Sequence, residues 1–160
     1  MKKWMFGAVA LAIALVSVTG CAGVQVKQYG LEGNDTIALN LVRDPNVGTV
    51  IVTHVNGEAT GGVYKEGFLG LGAEVVVVNP CYVKLTGKPI VFTLLCPVVI
   101  GQDSSGKPNV AMKRTEIRLT KLADLKAGDV LTLKWMYQTQ TFAFMDATGN
   151  IVQQTIPTFE

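Results

Sequence analysis

Apolar residues recur at every second position along most of this chain, and after the first twenty residues no stretch sustains a helical repeat. Successive side chains of an extended strand point to opposite faces, so this period marks segments with one face buried. Residues 36–42 and 49–55 are of this kind, and the second segment ends at Asn56-Gly57. Those two residues tolerate positive φ and favour a two-residue hairpin turn. Residues 74–78 are a β-branched block suited to a strand covered on both faces. Residues 82–85 and 90–95 flank Thr86-Gly87-Lys88-Pro89, whose turn chemistry predicts that they are the arms of a hairpin. Residues 110–119, 130–137, 141–145 and 151–155 complete the set, with a turn at Asp146-Ala147-Thr148-Gly149-Asn150. Short strands separated by turns predict an all-β fold, either a single β-sandwich or a closed barrel of mostly antiparallel strands. Residues 120–126 have room for one helical turn.

The first twenty residues obey a different pattern. Lys2 and Lys3 give a positive start, and residues 4–18 form an apolar run broken only by Gly7 and Ser17. The run is shorter than the roughly 20 apolar residues of a membrane-spanning helix. Its length and flanks are those of a signal-peptide core. It ends in Val18-Thr19-Gly20-Cys21, with no positive cluster behind it. Coming after such a leader, this tetrapeptide resembles the lipobox of bacterial lipoprotein precursors. The resemblance covers residues 1–21 only. It implies a signal peptide over 1–20, cleavage before Cys21, a diacylglycerol thioether on the Cys21 sulfur and an N-acyl lipid on the new terminus. One acyl chain holds a protein only marginally at a bilayer, whereas two or three hold it firmly. It further implies residence in the cell envelope. Residue 22 is alanine, not the aspartate that resembles an inner-membrane retention signal, so the expected site is the outer membrane, facing the periplasm.

Removal of residues 1–20 leaves 140 of 160 residues, enough for one domain and too few for two. The expected division is a lipidated N-terminus and short tether over 21–33, then a β domain over 34–160. Subtracting Lys2 and Lys3 leaves 12 basic residues against 12 acidic, so the electrostatic footprint of a nucleic-acid binder is missing.

With Cys21 lipidated, Cys81 and Cys96 remain. Across a hairpin with the loop Gly87-Lys88-Pro89 they face each other to within one residue. A disulfide there is one reading, favoured by an oxidising compartment and worth about 3 kcal/mol in the chain-entropy model. The other is a pair of buried thiols acting as small hydrophobes. His54 is the only histidine, and the sequence contains no GxSxG, HExxH or CxxC pattern and no zinc-ligand spacing. A non-enzymatic protein without metal or further cofactor is expected. Residues 57–72 hold six glycines, with Tyr64, Phe68, Leu69 and Leu71 among them. One reading is an exposed loop presenting Tyr64, Phe68 and Leu69 to a partner or a bilayer. The other is a bulged strand or tight crossing, where glycine admits close backbone approach. Trp135 and Tyr137 share a strand face with Leu131 and Leu133, the pattern of a core.

Together these features predict a membrane-anchored envelope lipoprotein with a structural or partner-binding role. The alternative is a binding module that holds a small apolar or glycan ligand. A cavity lined by Trp135, Phe142 and Phe144 would favour the ligand, and a filled core would favour the partner.

Overall fold

A computed structural model of the chain describes residues 24–67 and 72–160. Among them are eleven strands and no helix, so the fold is all-β as the alternation predicts. Strands β1 (Val24–Tyr29), β2 (Thr36–Leu41), β6 (Glu74–Lys84), β9 (Val130–Met136), β10 (Thr141–Met145) and β11 (Ile151–Thr155) form one sheet in the order β1-β6-β2-β9-β10-β11, with β5 (Val63–Lys65) beside the start of β6. The other sheet is β4-β3-β7-β8, built from β4 (Glu58–Ala59), β3 (Ile51–Val55), β7 (Ile90–Gln102) and β8 (Pro108–Leu119). β1 with β6 and β2 with β9 pair in parallel, and the remaining ladders are antiparallel. Neither sheet closes on itself, which removes the barrel alternative.

Alternation becomes burial in both sheets. Ile37, Leu39 and Leu41 point inward from β2, and Leu131, Leu133 and Trp135 do so from β9. On β8 the buried Thr115, Ile117 and Leu119 alternate with the exposed Arg114, Glu116 and Arg118. Side chains of both sheets join one hydrophobic cluster. Phe92 of β7 meets Phe144 of β10 at 5.9 Å between ring centroids. The indole N–H of Trp135 donates to the Pro97 carbonyl of the opposite sheet at 2.8 Å. Each side chain fully withdrawn from water here contributes about 1.5–3 kcal/mol.

Three expectations need correction. Residues 82–85 and 90–95 are not arms of a hairpin. Residues 82–84 end the long strand β6, whose edges carry β1, β2 and β5, whereas Ile90 opens β7 between β3 and β8 in the other sheet. The 85–89 turn therefore carries the chain from one sheet to the other. Residues 24–29 are not tether but strand β1, in register with β6 from Val24↔Val75 onward. Backbone pairing holds them, since Val24 and Val26 stay largely exposed. The β structure thus begins ten residues ahead of position 34. Residues 120–126 form turns, such as Leu125 N–H to the Leu122 carbonyl at 3.1 Å, instead of a helical turn.

Turn chemistry elsewhere agrees with the sequence. Asn56 and Gly57 take φ of 50° and 84°, joining β3 to β4. Asp103 and Asp146 organise two closely similar turns. Each accepts from a hydroxyl two residues on (Ser105 at 2.6 Å, Thr148 at 2.7 Å) and from the backbone N–H four residues on. These hydrogen bonds, led by the hydroxyl, pull both carboxyl pKa values below the ordinary range.

The registers set the two ends of the domain. Val24, Lys65 and Glu74, residues 43–48 and the 102–108 turn lie at one end, called the β1 end below. Residues 56–57, 85–89, 120–129 and 146–150 lie at the other.

Candidate functional site

β5 is short because the chain is changing sheets. Thr60 donates its hydroxyl to the Val52 carbonyl at 2.6 Å, fastening residue 60 to β3. Gly62 then passes so close that a Cβ there would collide with the same carbonyl oxygen. Val63–Lys65 crosses to pair with β6, setting Tyr64 opposite Val75. The tight-crossing reading of the glycine-rich stretch is therefore right for residues 60–63. Phe68 and Leu69, like Cys21, lie outside the described residues.

Half-buried Tyr64 borders a cleft of about 280 Å³ at the β1 end. Val24, Val75 and Ile51 line it with Val110 and Met112 of β8, and the exposed Arg43 adds its one charge. Ligand pockets usually span about 300–1,000 Å³, so this space is small for a soluble ligand. The Lys65–Glu74 pair nearby, 3.5 Å apart with both side chains over half exposed, adds little energy.

A larger cavity of about 540 Å³ opens at the other end, where Asp124, Asp129 and Asp146 are joined by Lys121, Val130 and Ile151. Two of its three carboxylates already have work. Asp129 accepts from the Lys126 N–H at 2.8 Å, and Asp146 holds its own turn. Among the described residues no group of three or more His, Cys, Asp or Glu side chains is placed to hold a metal ion.

His54 sits half-buried on β3, and its partners are structural. Thr53 gives its only hydroxyl proton to the Thr93 carbonyl at 3.1 Å, so the His54 Nδ1, 3.1 Å from the same oxygen, is the donor in that contact. Ser105 is committed to Asp103. Trp135, Phe142 and Phe144 fill the core, with Trp135 4.6 Å from Phe142 and edge-on to Phe159 at 5.9 Å. Packed against one another, the rings supply stability.

Cys81 and Cys96 are free, fully buried and carried by opposite sheets, on β6 and β7. The facing register that suggested their disulfide depended on the hairpin that does not form. Burial pushes the Cys81 thiol up to about 12 from an ordinary 9.0 and raises Cys96 as well. Both should resist alkylation in the native protein and react fully once it is unfolded without reductant. Protection that persisted until reductant was added would show a bridge instead. Because the folded-state pKa values are raised, the thiols' contribution is fully present below pH 9 and is lost as pH climbs from about 9 toward 12. Replacing both with alanine should flatten the stability profile in that window, measured by urea unfolding at stepped pH.

No protein-family model matches the sequence, and comparison with curated proteins and with solved structures returns no match.

Proposed function

We propose that this chain is a lipid-anchored lipoprotein of the bacterial cell envelope, in the outer membrane and facing the periplasm, that works by contact and not by catalysis. The observation that carries the reading is the leader ending in Val18-Thr19-Gly20-Cys21, only three residues before β1 starts at Val24. A diacylglycerol and an N-acyl lipid on Cys21 would be its only added groups. The two sheets pack face to face as a β-sandwich, a reading supported by the Phe92–Phe144 contact and the Trp135–Pro97 hydrogen bond between them. The aromatic core favours a contact role over a buried ligand, since its rings are occupied with one another. Tyr64, together with Phe68 and Leu69 beyond it, is the proposed contact region, and His54 is structural.

Tyr64→Ser and His54→Gln separate these roles. Both variants are first checked for folding by circular dichroism and thermal melting, then crosslinked in intact cells. Truncating an aromatic anchor typically costs a contact more than 1 kcal/mol, so Tyr64→Ser should lose crosslinks to envelope components by about fivefold or more. His54→Gln should keep them. The opposite pattern, with His54→Gln alone abolishing the protein's cellular effect, would reopen an active-site or ligand-site reading.

A further inference from the structure

We propose that the β1 end of the domain rests on the lipid bilayer, and that Ile100 and Val110, at the free end of the β7–β8 hairpin, reach into the headgroup region beside the anchor. This names the partner of the Tyr64 region and rests on the lipid-anchored reading of Cys21.

Chain length makes the first argument. Only Ala22 and Gly23 separate Cys21 from Val24, and three residue steps span at most about 11 Å. A lipid on Cys21 therefore holds the start of β1 at the membrane surface. Val24 borders the same cleft as Val110 and Met112, so the hairpin stands next to that point.

The hairpin itself is the second argument. β3 follows β7 only as far as Ile51↔Leu95, whereas β7 and β8 stay paired out to Gln102↔Pro108. The seven residues of β7 past Leu95 extend about 23 Å, with no strand among the described residues paired to them on the β3 side. Cys96 to Val99 still pack on the core, and Pro97 accepts from Trp135, but beyond them the hairpin exposes Ile100 by 66% and Val110 by 38%. Ile100 occupies the bulge between Val99 and Gly101, an irregularity of the kind that re-aims a side chain. Val24 and Val26, 51% and 65% exposed, extend the apolar surface on the anchor side.

Charge distinguishes this end from the other. Arg43, Lys65, Lys107, Lys113, Arg114 and Lys134 are nearly balanced by Asp44, Glu66, Glu74, Asp103 and Glu160, six against five, and two of these pairs are ion-paired. Seating is thus apolar, so zwitterionic lipid suffices and added salt changes little. At the opposite end, exposed Ile151 shares its cavity with three aspartates, poor company for hydrocarbon.

The test places a tryptophan at either end, as Ile100→Trp or Ile151→Trp, in the processed protein reconstituted into phosphatidylcholine vesicles with brominated acyl chains. Buried Trp135 supplies a constant background. Shallow insertion beside the acyl boundary should cut the position-100 emission by about twofold, with position 151 unchanged and both insensitive to salt. Equal quenching at both positions, or none at 100, overturns the proposal. Shielding of position 100 from an aqueous quencher without bromine quenching also overturns it, because a protein or a second copy would then cover this end. Mass measurement of the same sample reads the lipid on Cys21. If none is present, the lipoprotein reading fails, and the Cys21 thiol is coupled to a maleimide phospholipid, Cys81 and Cys96 being buried. Quenching at position 100 in that sample upholds the seat by itself, and its absence overturns it.

Discussion

Trp135→Ala should lower the unfolding free energy by about 3–5 kcal/mol, the range for truncating a large buried aromatic. Only 4% of the residue is exposed. Its ring is covered by Phe142 and Phe159, and its N–H donates across the core to the Pro97 carbonyl. Alanine would remove the ring contacts and leave that carbonyl without its strong donor, a loss that itself costs about 1–3 kcal/mol. Trp135→Phe keeps most of the ring volume and forfeits the hydrogen bond, so it should fall between the two. Urea unfolding followed by circular dichroism measures all three without depending on the removed fluorophore. A loss below about 1 kcal/mol for the alanine variant would mean that the sheets do not depend on this contact.

Much of this core was legible in the sequence because it rests on local rules. Alternation in 36–42, 110–119 and 130–137 foretold the strands β2, β8 and β9 and the core face of Leu131, Leu133 and Trp135, and Asn56-Gly57 foretold a hairpin. Partner choice was not local. Thr86-Gly87-Lys88-Pro89 declares that the chain turns, but the same composition serves a hairpin and a passage between sheets. The Cys81–Cys96 register failed with that choice. β1 escaped notice because its first five side chains are exposed and only Tyr29 packs on the core, so backbone pairing holds most of it and leaves no clear burial pattern to read. β5 was hidden by glycines, and the reason is visible at Gly62, where the crossing leaves no space for a Cβ.

The candidate site was legible in pieces. Tyr64 was singled out from its glycine-rich neighbourhood, and it does border the cleft at the β1 end. Val110, Met112 and Arg43 were missed as members of that cleft. They come from distant parts of the chain and are united only by the mixed sheet order. The overhang of β7–β8 beyond β3 was equally invisible, since strand length in sequence says nothing about where a neighbour stops. Unequal lengths, 13 residues for β7 and 5 for β3, carry that information only once their pairing is known.

The most direct measurement of the central claim is the mass and membrane partition of the mature protein beside a Cys21→Ala variant. The thiol is the proposed lipid acceptor, and two or three acyl chains bury far more methylene groups than reversible attachment requires. Wild-type protein should begin at residue 21, carry diacylglycerol and an N-acyl group, and sediment with membranes through high-salt washing. Cys21→Ala should keep the leader, which contains Lys2, Lys3 and Trp4, and show no acyl mass. Identical processing of the two proteins, with no lipid on either, would contradict the account.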